Sequence, residues 1–156
     1  MKKGLLFIVM LAYVFVLGFS QTNSWTVNNT GTWIEAVNGI RSEGNNKTHI
    51  ITITGNISIP KSDEITFGSV TDITVTIEGK GSITPSSNGS LIRIGSKQTV
   101  IIKNIILQGR TANTSSLVVI EKSGTFRMEG TTKLSGNTIT SVNGAGVHVN
   151  GGTFVM

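Results

Sequence analysis

The sequence of 156 residues has the length of one domain, contains no cysteine and carries a formal charge of +5 at pH 7. Without cysteine there is no disulfide framework, no thiolate metal site and no lipid attachment through a thiol. The basic residues are spread singly along the chain, without the clusters and interleaved aromatic rings typical of nucleic-acid binding, so we expect no nucleic-acid partner. With 19 glycines and only 13% charged residues, the composition favours a strand-rich, turn-rich chain.

The N-terminal segment 1–20 has the pattern of a secretory signal peptide. A positive start, Lys2-Lys3, precedes an apolar run, and the small residues Gly18 and Ser20 stand at positions −3 and −1 of a cleavage site. The apolar run is shorter than the ~20 residues that span a bilayer. We therefore expect cleavage after Ser20 and export, with an uncleaved anchor as the alternative.

Residues 21–48 are predicted to form an N-terminal cap made of a strand and a helix. The short alternation at 25–27 indicates the strand. Thr32 and Glu35 have the spacing of a capping box, in which the Thr side chain binds a free backbone N–H and the Glu side chain reaches back to the cap. This spacing predicts an amphipathic helix over 32–42.

The predicted helix has one apolar face, made by Ile34, Val37 and Ile40, and Gly44 is its expected end. An amphipathic helix is suited to covering the apolar cross-section that the first coil of a solenoid exposes. Both tryptophans of the chain lie in this cap. We expect them to be buried there, although tryptophan also serves as a platform for sugars.

From residue 49 to residue 156 the sequence repeats a threonine followed by an alternating apolar pair. The first apolar position recurs at steps of 24, 25, 26 and 28 residues, a drifting period typical of a stacked solenoid with insertions in its loops. Alternation turns these side chains inward, and the offset stacks each one ~4.8 Å from its counterpart. The inward ladder comprises Ile51, Val75, Val100, Phe126 and Phe154.

Two further apolar rows follow the same period, so each coil is expected to contain three short strands. Segments rich in Gly, Asn and Ser separate the rows and suit sharp corners. The predicted fold class is all-β, a parallel β-helix of three-stranded coils with a short N-terminal capping helix. The second row comprises Ile57, Ile59, Ile83, Ile105, Leu107 and Leu134, and the third comprises Ile65, Phe67, Ile92, Ile94, Val118, Ile120, Val147 and Val149.

Three charged residues, Glu78, Lys103 and Glu129, fall at equivalent outward positions of successive coils. We predict that they form an outward ion-pair column, in which each exposed pair contributes ~0.2–1 kcal/mol. The alternative is a cation site. The lysine between the two carboxylates makes a divalent metal ion unfavourable, so we expect a structural role and no metal.

The segment 136–154, in particular GAGVHVNGGTF at its end, resembles the repeats of bacterial right-handed parallel β-helix proteins with a pectin-lyase-like fold. It is most similar to the Gly-Gly-rich repeats of polymorphic-outer-membrane-protein-like and adhesin-like surface chains. The resemblance implies a right-handed coil, export, and a passenger that is secreted or held at the cell surface or outer membrane. It does not imply an activity, because the same fold carries lyases, hydrolases and adhesins.

Enzymes of that fold place acidic and basic residues together along one sheet. Here the two aspartates, Asp63 and Asp72, do not stack at the coil period, and Arg93 and His148 occupy equivalent outward positions two coils apart. His148 lacks a carboxylate to orient it as a general base, and His49 has no obvious partner. We therefore predict no catalytic, cofactor or metal site.

The repeat pattern continues to the last residue, Met156. We expect an open apolar end formed by Phe126, Phe154 and Met156, covered either by further coils of a longer protein or by another chain. The predicted function is a structural or adhesive surface passenger with a host or cell-surface ligand and no membrane span after signal cleavage. The alternative is the N-terminal part of a carbohydrate-active β-helix enzyme whose site lies in further coils.

Overall fold

The computed structural model describes residues 22–139 and 144–156. Within these residues the chain is predominantly β, with parallel sheets and a single helix. The predicted signal peptide, 1–20, lies outside them. In the described part, no helix is long and apolar enough to cross a membrane.

The elements follow one another in a regular order. In sequence they are β1 (Thr22–Val27), α1 (Thr30–Glu43), β2 (Thr48–Ile53), β3 (Ile57–Ile59), β4 (Ile73–Gly79), β5 (Ser82–Pro85), β6 (Ile92–Ile94), β7 (Gln98–Lys103), β8 (Ile106–Gln108), β9 (Val118–Ile120), β10 (Thr125–Glu129), β11 (Lys133–Ser135), β12 (Val147–Val149) and β13 (Thr153–Val155).

These strands form three parallel sheets. Sheet A has the order β1-β2-β4-β7-β10-β13, sheet B the order β11-β8-β5-β3, and sheet C the order β12-β9-β6. From β4 onward the chain visits sheets A, B and C in rotation, and each pass lays a strand beside that of the previous pass. Parallel neighbours need a long crossover, and here strands of the other two sheets lie within it.

The interior is built from alternate residues of the strands. In sheet A, burial alternates along β7 and along 73–78 of β4, because successive side chains of a strand point to opposite faces. Val75, Val100 and Phe126 are fully buried and lie side by side in register, with Phe154 beyond them. Leu134 of sheet B and Val147 of sheet C also pack against the core from the last pass.

The register at the first step differs from the predicted ladder. Ile51 lies beside Ile77, not beside Val75, and the partner of Val75 is His49. The predicted step of 24 residues was therefore wrong by two. A slip of two residues keeps every side chain on its own face, so the apolar pattern alone does not distinguish the two registers.

The helix starts earlier than its sequence pattern indicates. Asn29 is the N-cap: its side-chain oxygen accepts a hydrogen bond from the backbone N–H of Thr32 (3.1 Å), and Thr32 Oγ1 accepts one from the backbone N–H of Asn29 (3.2 Å). The capping box thus joins Asn29 and Thr32, and the predicted box of Thr32 and Glu35 was wrong. Gly44 is the C-cap, with a φ of 80°.

The buried face of α1 is centred on Trp33, which is 4% exposed. Val37 and Ile40 are buried as predicted, but Ile34 is 44% exposed. The neighbouring residue, Trp33, is buried in the core in place of Ile34. Trp25 is only half-buried and lies against Gly39, where a Cβ atom would approach the Trp25 ring to 2.9 Å. Glycine therefore permits the close contact of α1 with β1.

The corner before each later strand of sheet A contains a residue with left-handed backbone. The φ angles of the four non-glycine members lie between 56° and 62°. The N–H of Asp72 donates to the carbonyl of Lys97, and that of Lys97 donates to Ser123, so the corners stack through hydrogen bonds. The members are Asn46, Asp72, Lys97 and Ser123, and Gly151 takes the same place in the last pass.

The third predicted row begins later than expected. Residues 65–69 form no strand, although Phe67 is fully buried.

At the end predicted to be open, Phe126 is fully buried, because the Phe154 ring stacks on it with centroids 5.4 Å apart and planes inclined by 15°. Met156 is 89% exposed.

Candidate functional site

Sheet A has six strands, the most of the three described sheets, and its outward face carries a regular pattern of side chains. One threonine from each of its six strands lies in a single column across the sheet, and the strand spacing separates neighbouring members by ~4.8 Å. All are partly or fully exposed. This threonine column comprises Thr22, Thr48, Thr74, Thr99, Thr125 and Thr153.

Two further outward columns lie next to the threonine column. The middle column mixes hydroxyl, aliphatic and cationic side chains, and the outer one changes from threonine to charge along the sheet. The face therefore presents hydroxyl and methyl groups along one edge and charges along the other. The middle column comprises Ser24, Ile50, Thr76, Ile101, Arg127 and Val155, and the outer one Thr26, Thr52, Glu78, Lys103 and Glu129.

The charged residues of the outer column lie in register, but they do not form a continuous ladder. Lys103 Nζ lies 3.9 Å from Glu78 Oε2, whereas Glu129 Oε1 lies 3.4 Å from the Nε of Arg127 on its own strand. Their side chains are 37–46% exposed, so each pair contributes only ~0.2–1 kcal/mol. Across 22–139 and 144–156, no group of three or more His, Asp or Glu side chains is placed to hold a metal ion.

Sheet C brings Arg93 and His148 into line with Val119 between them. The Arg93 guanidinium forms its ion pair with Glu121 and not with His148: Arg93 Nη2 lies 2.6 Å from Glu121 Oε1. The other oxygen of Glu121 accepts a hydrogen bond from Asn150 Nδ2 at 2.7 Å. Sequence reasoning missed Glu121, which stands one residue beyond β9 and two residues beyond Val119, the register partner of Arg93.

The two aspartates lie apart, each beside a lysine. Asp63 Oδ2 is 2.9 Å from Lys61 Nζ, and Asp72 Oδ2 is 3.9 Å from Lys97 Nζ. Asp72 also occupies one of the left-handed corners. Asp63 lies at the surface, Asp72 lies at a corner, and the two share no site.

A small cleft of about 170 Å³ lies between α1 and the segment 60–66. Trp33 and Arg41 line one side, and Lys61 and Leu91 line the other. The Arg41 guanidinium is already bound to the carbonyl of Thr66, at 2.8 Å from Nη2. Because ligand pockets usually have volumes of roughly 300–1,000 Å³, this cleft is small for an organic ligand.

Two buried amides were not singled out by the sequence, and both are fully used. Asn113, 4% exposed, accepts from the backbone N–H groups of Gly89 and Thr114 and donates to the Gly89 carbonyl and to Asn137 Oδ1. Gln98, 1% exposed, makes three comparable bonds to backbone groups of neighbouring corners. Both side chains join adjacent passes of the chain.

His49 is the exception among the buried polar residues. It is 0% exposed, and neither ring nitrogen has a hydrogen-bond partner in the described structure. Glu43 Oε2 lies 3.6 Å from His49 Nδ1, and the Trp25 ring lies 5.4 Å from the imidazole. Burial lowers the pKa of His49 below its ordinary value of 6.5; the Glu43 charge opposes this shift, and Lys47 adds to it.

No protein-family model, curated protein or solved structure matches this sequence. A function can therefore be argued only from the arrangement of the chain's own residues.

Proposed function

We propose that the chain is an exported right-handed parallel β-helix with a structural or adhesive role at the cell surface, and that the outward face of sheet A is its contact face. Such a protein acts by presenting a rigid, repetitive surface, and its chemistry is that of binding without turnover.

The coiled arrangement is supported by the rotation of the chain through sheets A, B and C and by the parallel pairing of every successive pass. Crossover connections between parallel strands of one sheet are right-handed in about 98% of cases, which supports the proposed handedness. Interior ladders of aliphatic side chains and hydrogen-bonded corners hold adjacent passes in register.

The threonine column is the observation that carries the proposal of a contact face. Six equivalent side chains in line offer the same hydroxyl and methyl group at each strand. A repeated array suits a large partner that makes many weak contacts at once, because linked contacts add to avidity. Cross-strand threonine pairs also stabilise a sheet, by ~0.2–1 kcal/mol each, so binding and stability must be measured separately.

Export is proposed from the segment 1–20, with its positive start and apolar run. Expression of the full sequence followed by protease treatment of intact cells tests it. We expect the protein to be degraded on intact cells or recovered in the medium. Protection inside intact cells, with degradation only after lysis, would contradict export.

Adhesion is tested by coating beads with the purified chain and counting the beads retained on epithelial-cell monolayers under washing. In the double variant Thr74→Val/Thr99→Val, two hydroxyls are lost while the branched shape is kept. We expect retention to fall severalfold with little change in melting temperature. Thr84→Val, on the outer side of sheet B, is the matched control and should keep full retention.

Equal retention of the double variant and the wild type would exclude the threonine column as the contact face. Equal retention of coated and uncoated beads would exclude adhesion to these cells, and would leave the structural role as the proposal.

A further inference from the structure

We infer that protonation of His49 weakens the contact between the N-terminal unit, made of β1 and α1, and the remainder of sheet A. The inference is independent of the proposed surface role. It starts from a group that is expensive to bury: an imidazole with no exposure and no hydrogen bond to either nitrogen among the described residues.

The position of His49 in the sheet is occupied by apolar side chains in all later strands. In register, His49 lies between Asn23 of β1 and Val75 of β4. The same column continues through Val100 and then through two phenylalanines. A valine at position 49 would therefore continue the core, and the histidine makes this pass different from the others.

The groups around the ring belong mostly to the N-terminal unit. Glu43, the last residue of α1, places Oε2 3.6 Å from His49 Nδ1 and accepts a hydrogen bond from Asn23 Nδ2. Trp25 of β1 contributes the neighbouring ring. Glu43 and Lys47 are the charged groups that act on the imidazole, with opposite effects. A change of charge at His49 therefore alters the contacts of both β1 and α1.

The direction of the pH effect follows from burial. The pKa of His49 is lowered from 6.5 in the folded chain, so at mildly acidic pH the unfolded or opened state binds a proton that the closed state does not. Stability is fully present above about pH 6.5 and is lost as the pH falls from there toward the lower folded pKa.

Acid is therefore expected to open this end of the molecule first, because the proton is gained only when β1 and α1 move away from β2. Opening would expose the buried helix face around Trp33 and Ile40, whereas the later passes contain no equivalent buried histidine in their sheet A column. Such opening of one cooperative unit below the global unfolding energy is a recognised behaviour of proteins.

Tryptophan fluorescence reports on this unit directly, because the two tryptophans of the chain, Trp25 and Trp33, both belong to it. Emission and melting temperature are measured at about pH 7.5 and about pH 5, a range that spans the histidine titration. For the wild type we expect a red shift of emission and a lower melting temperature at the acidic pH. His49→Val should abolish both changes, and His148→Val should leave them intact.

Equal acid effects in the wild type and in His49→Val would overturn the inference, as would an unchanged emission in the wild type. Glu43→Gln supplies a second test, because it removes the charge that favours the protonated ring. We expect its acid-induced loss of melting temperature to exceed that of the wild type. A smaller loss would show that the carboxylate, and not burial of the imidazole, controls the response.

Hydrogen exchange locates the opening. On acidification, and after correction for intrinsic exchange rates, amides of 22–54 should exchange faster while those of 98–128 keep their protection. An equal increase in exchange over both ranges would indicate global destabilisation and would contradict local opening of the N-terminal unit.

Discussion

Two buried polar sites in this protein are treated in opposite ways. At the corner of the later passes, Asn113 makes four hydrogen bonds that tie Gly89 and Asn137 to its own pass. At the N-terminal end, His49 is buried just as deeply and makes none. An amide presents donors and acceptors in the plane of neighbouring backbone groups, whereas a ring held inside an apolar column meets only side chains. Burial alone therefore does not tell whether a polar residue stabilises the fold.

The largest effect is expected from moving the unpaired ring into the centre of the column. Val100→His places an imidazole between Val75 and Phe126, where no carboxylate is near. We expect the free energy of unfolding to fall by roughly 3 kcal/mol at neutral pH, the cost of burying an unpaired polar group. Urea denaturation measures the loss. Val100→Leu controls for size, and an equal loss in both variants would show that polarity is not the cause.

The next largest effect is expected at the satisfied corner. Asn113→Ala leaves the buried N–H and C=O of Gly89 without their partner and removes one of the two hydrogen bonds that Asn137 Oδ1 accepts. Since each unsatisfied buried group costs about 1–3 kcal/mol and the corner can relax, we expect a loss of roughly 2–3 kcal/mol. Asn88→Ala, at an exposed position of the same corner, should cost much less. Similar losses in both would mean that the corner admits water.

A smaller loss is expected for Gln98→Leu, which keeps the size of the side chain and removes three hydrogen bonds. The carbonyls of Gly68 and Val70 and the N–H of Gly95 lose their partners, but carbonyl groups tolerate this better than N–H groups. We expect about 1–2 kcal/mol by thermal or urea unfolding. A gain in stability would show that buried Gln98 destabilises the fold, as we expect for His49, and does not stabilise it as Asn113 does.

The smallest effect is expected on the outer face. Lys103→Gln removes the ion pair with Glu78, whose side chains are 46% and 37% exposed. Because exposed pairs are screened by water and salt, the free energy of unfolding should change by less than about 0.5 kcal/mol. Unfolding in low and high salt measures it. A loss above 1 kcal/mol that disappears in salt would show that the outward column contributes to stability after all.

The repeating apolar pattern predicted much of the strand positions, because alternation and period are local properties of the chain. It failed where two answers satisfy the same pattern. A slip of two residues left Ile51 facing inward beside Ile77 instead of Val75, and the apolar alternation fits both registers equally. The shifted register also aligns Thr48 with Thr74, so it extends the repeated threonines of the sequence pattern into a column across all six strands.

The corners show the same division. Glycine and asparagine marked several of them, because these residues tolerate left-handed backbone. Lys97 and Ser123 take that conformation too, with φ of 57° and 62°, although neither residue type favours it. Hydrogen bonds from corner to corner, as from Lys97 to Ser123, outweigh the local preference. Such bonds join residues about one period apart, and no local pattern reveals them.

By itself the sequence determined the predominantly β character, the apolar rows and the place of the helix, because hydrophobic alternation and chain-breaking residues act over a few positions. Only the tertiary structure decided the register, the extension of the threonine column to β1 and β2, the partners of the buried amides and the isolation of His49. Those features depend on which residues from different passes come to lie side by side, and that is set by the packing of the whole interior at once.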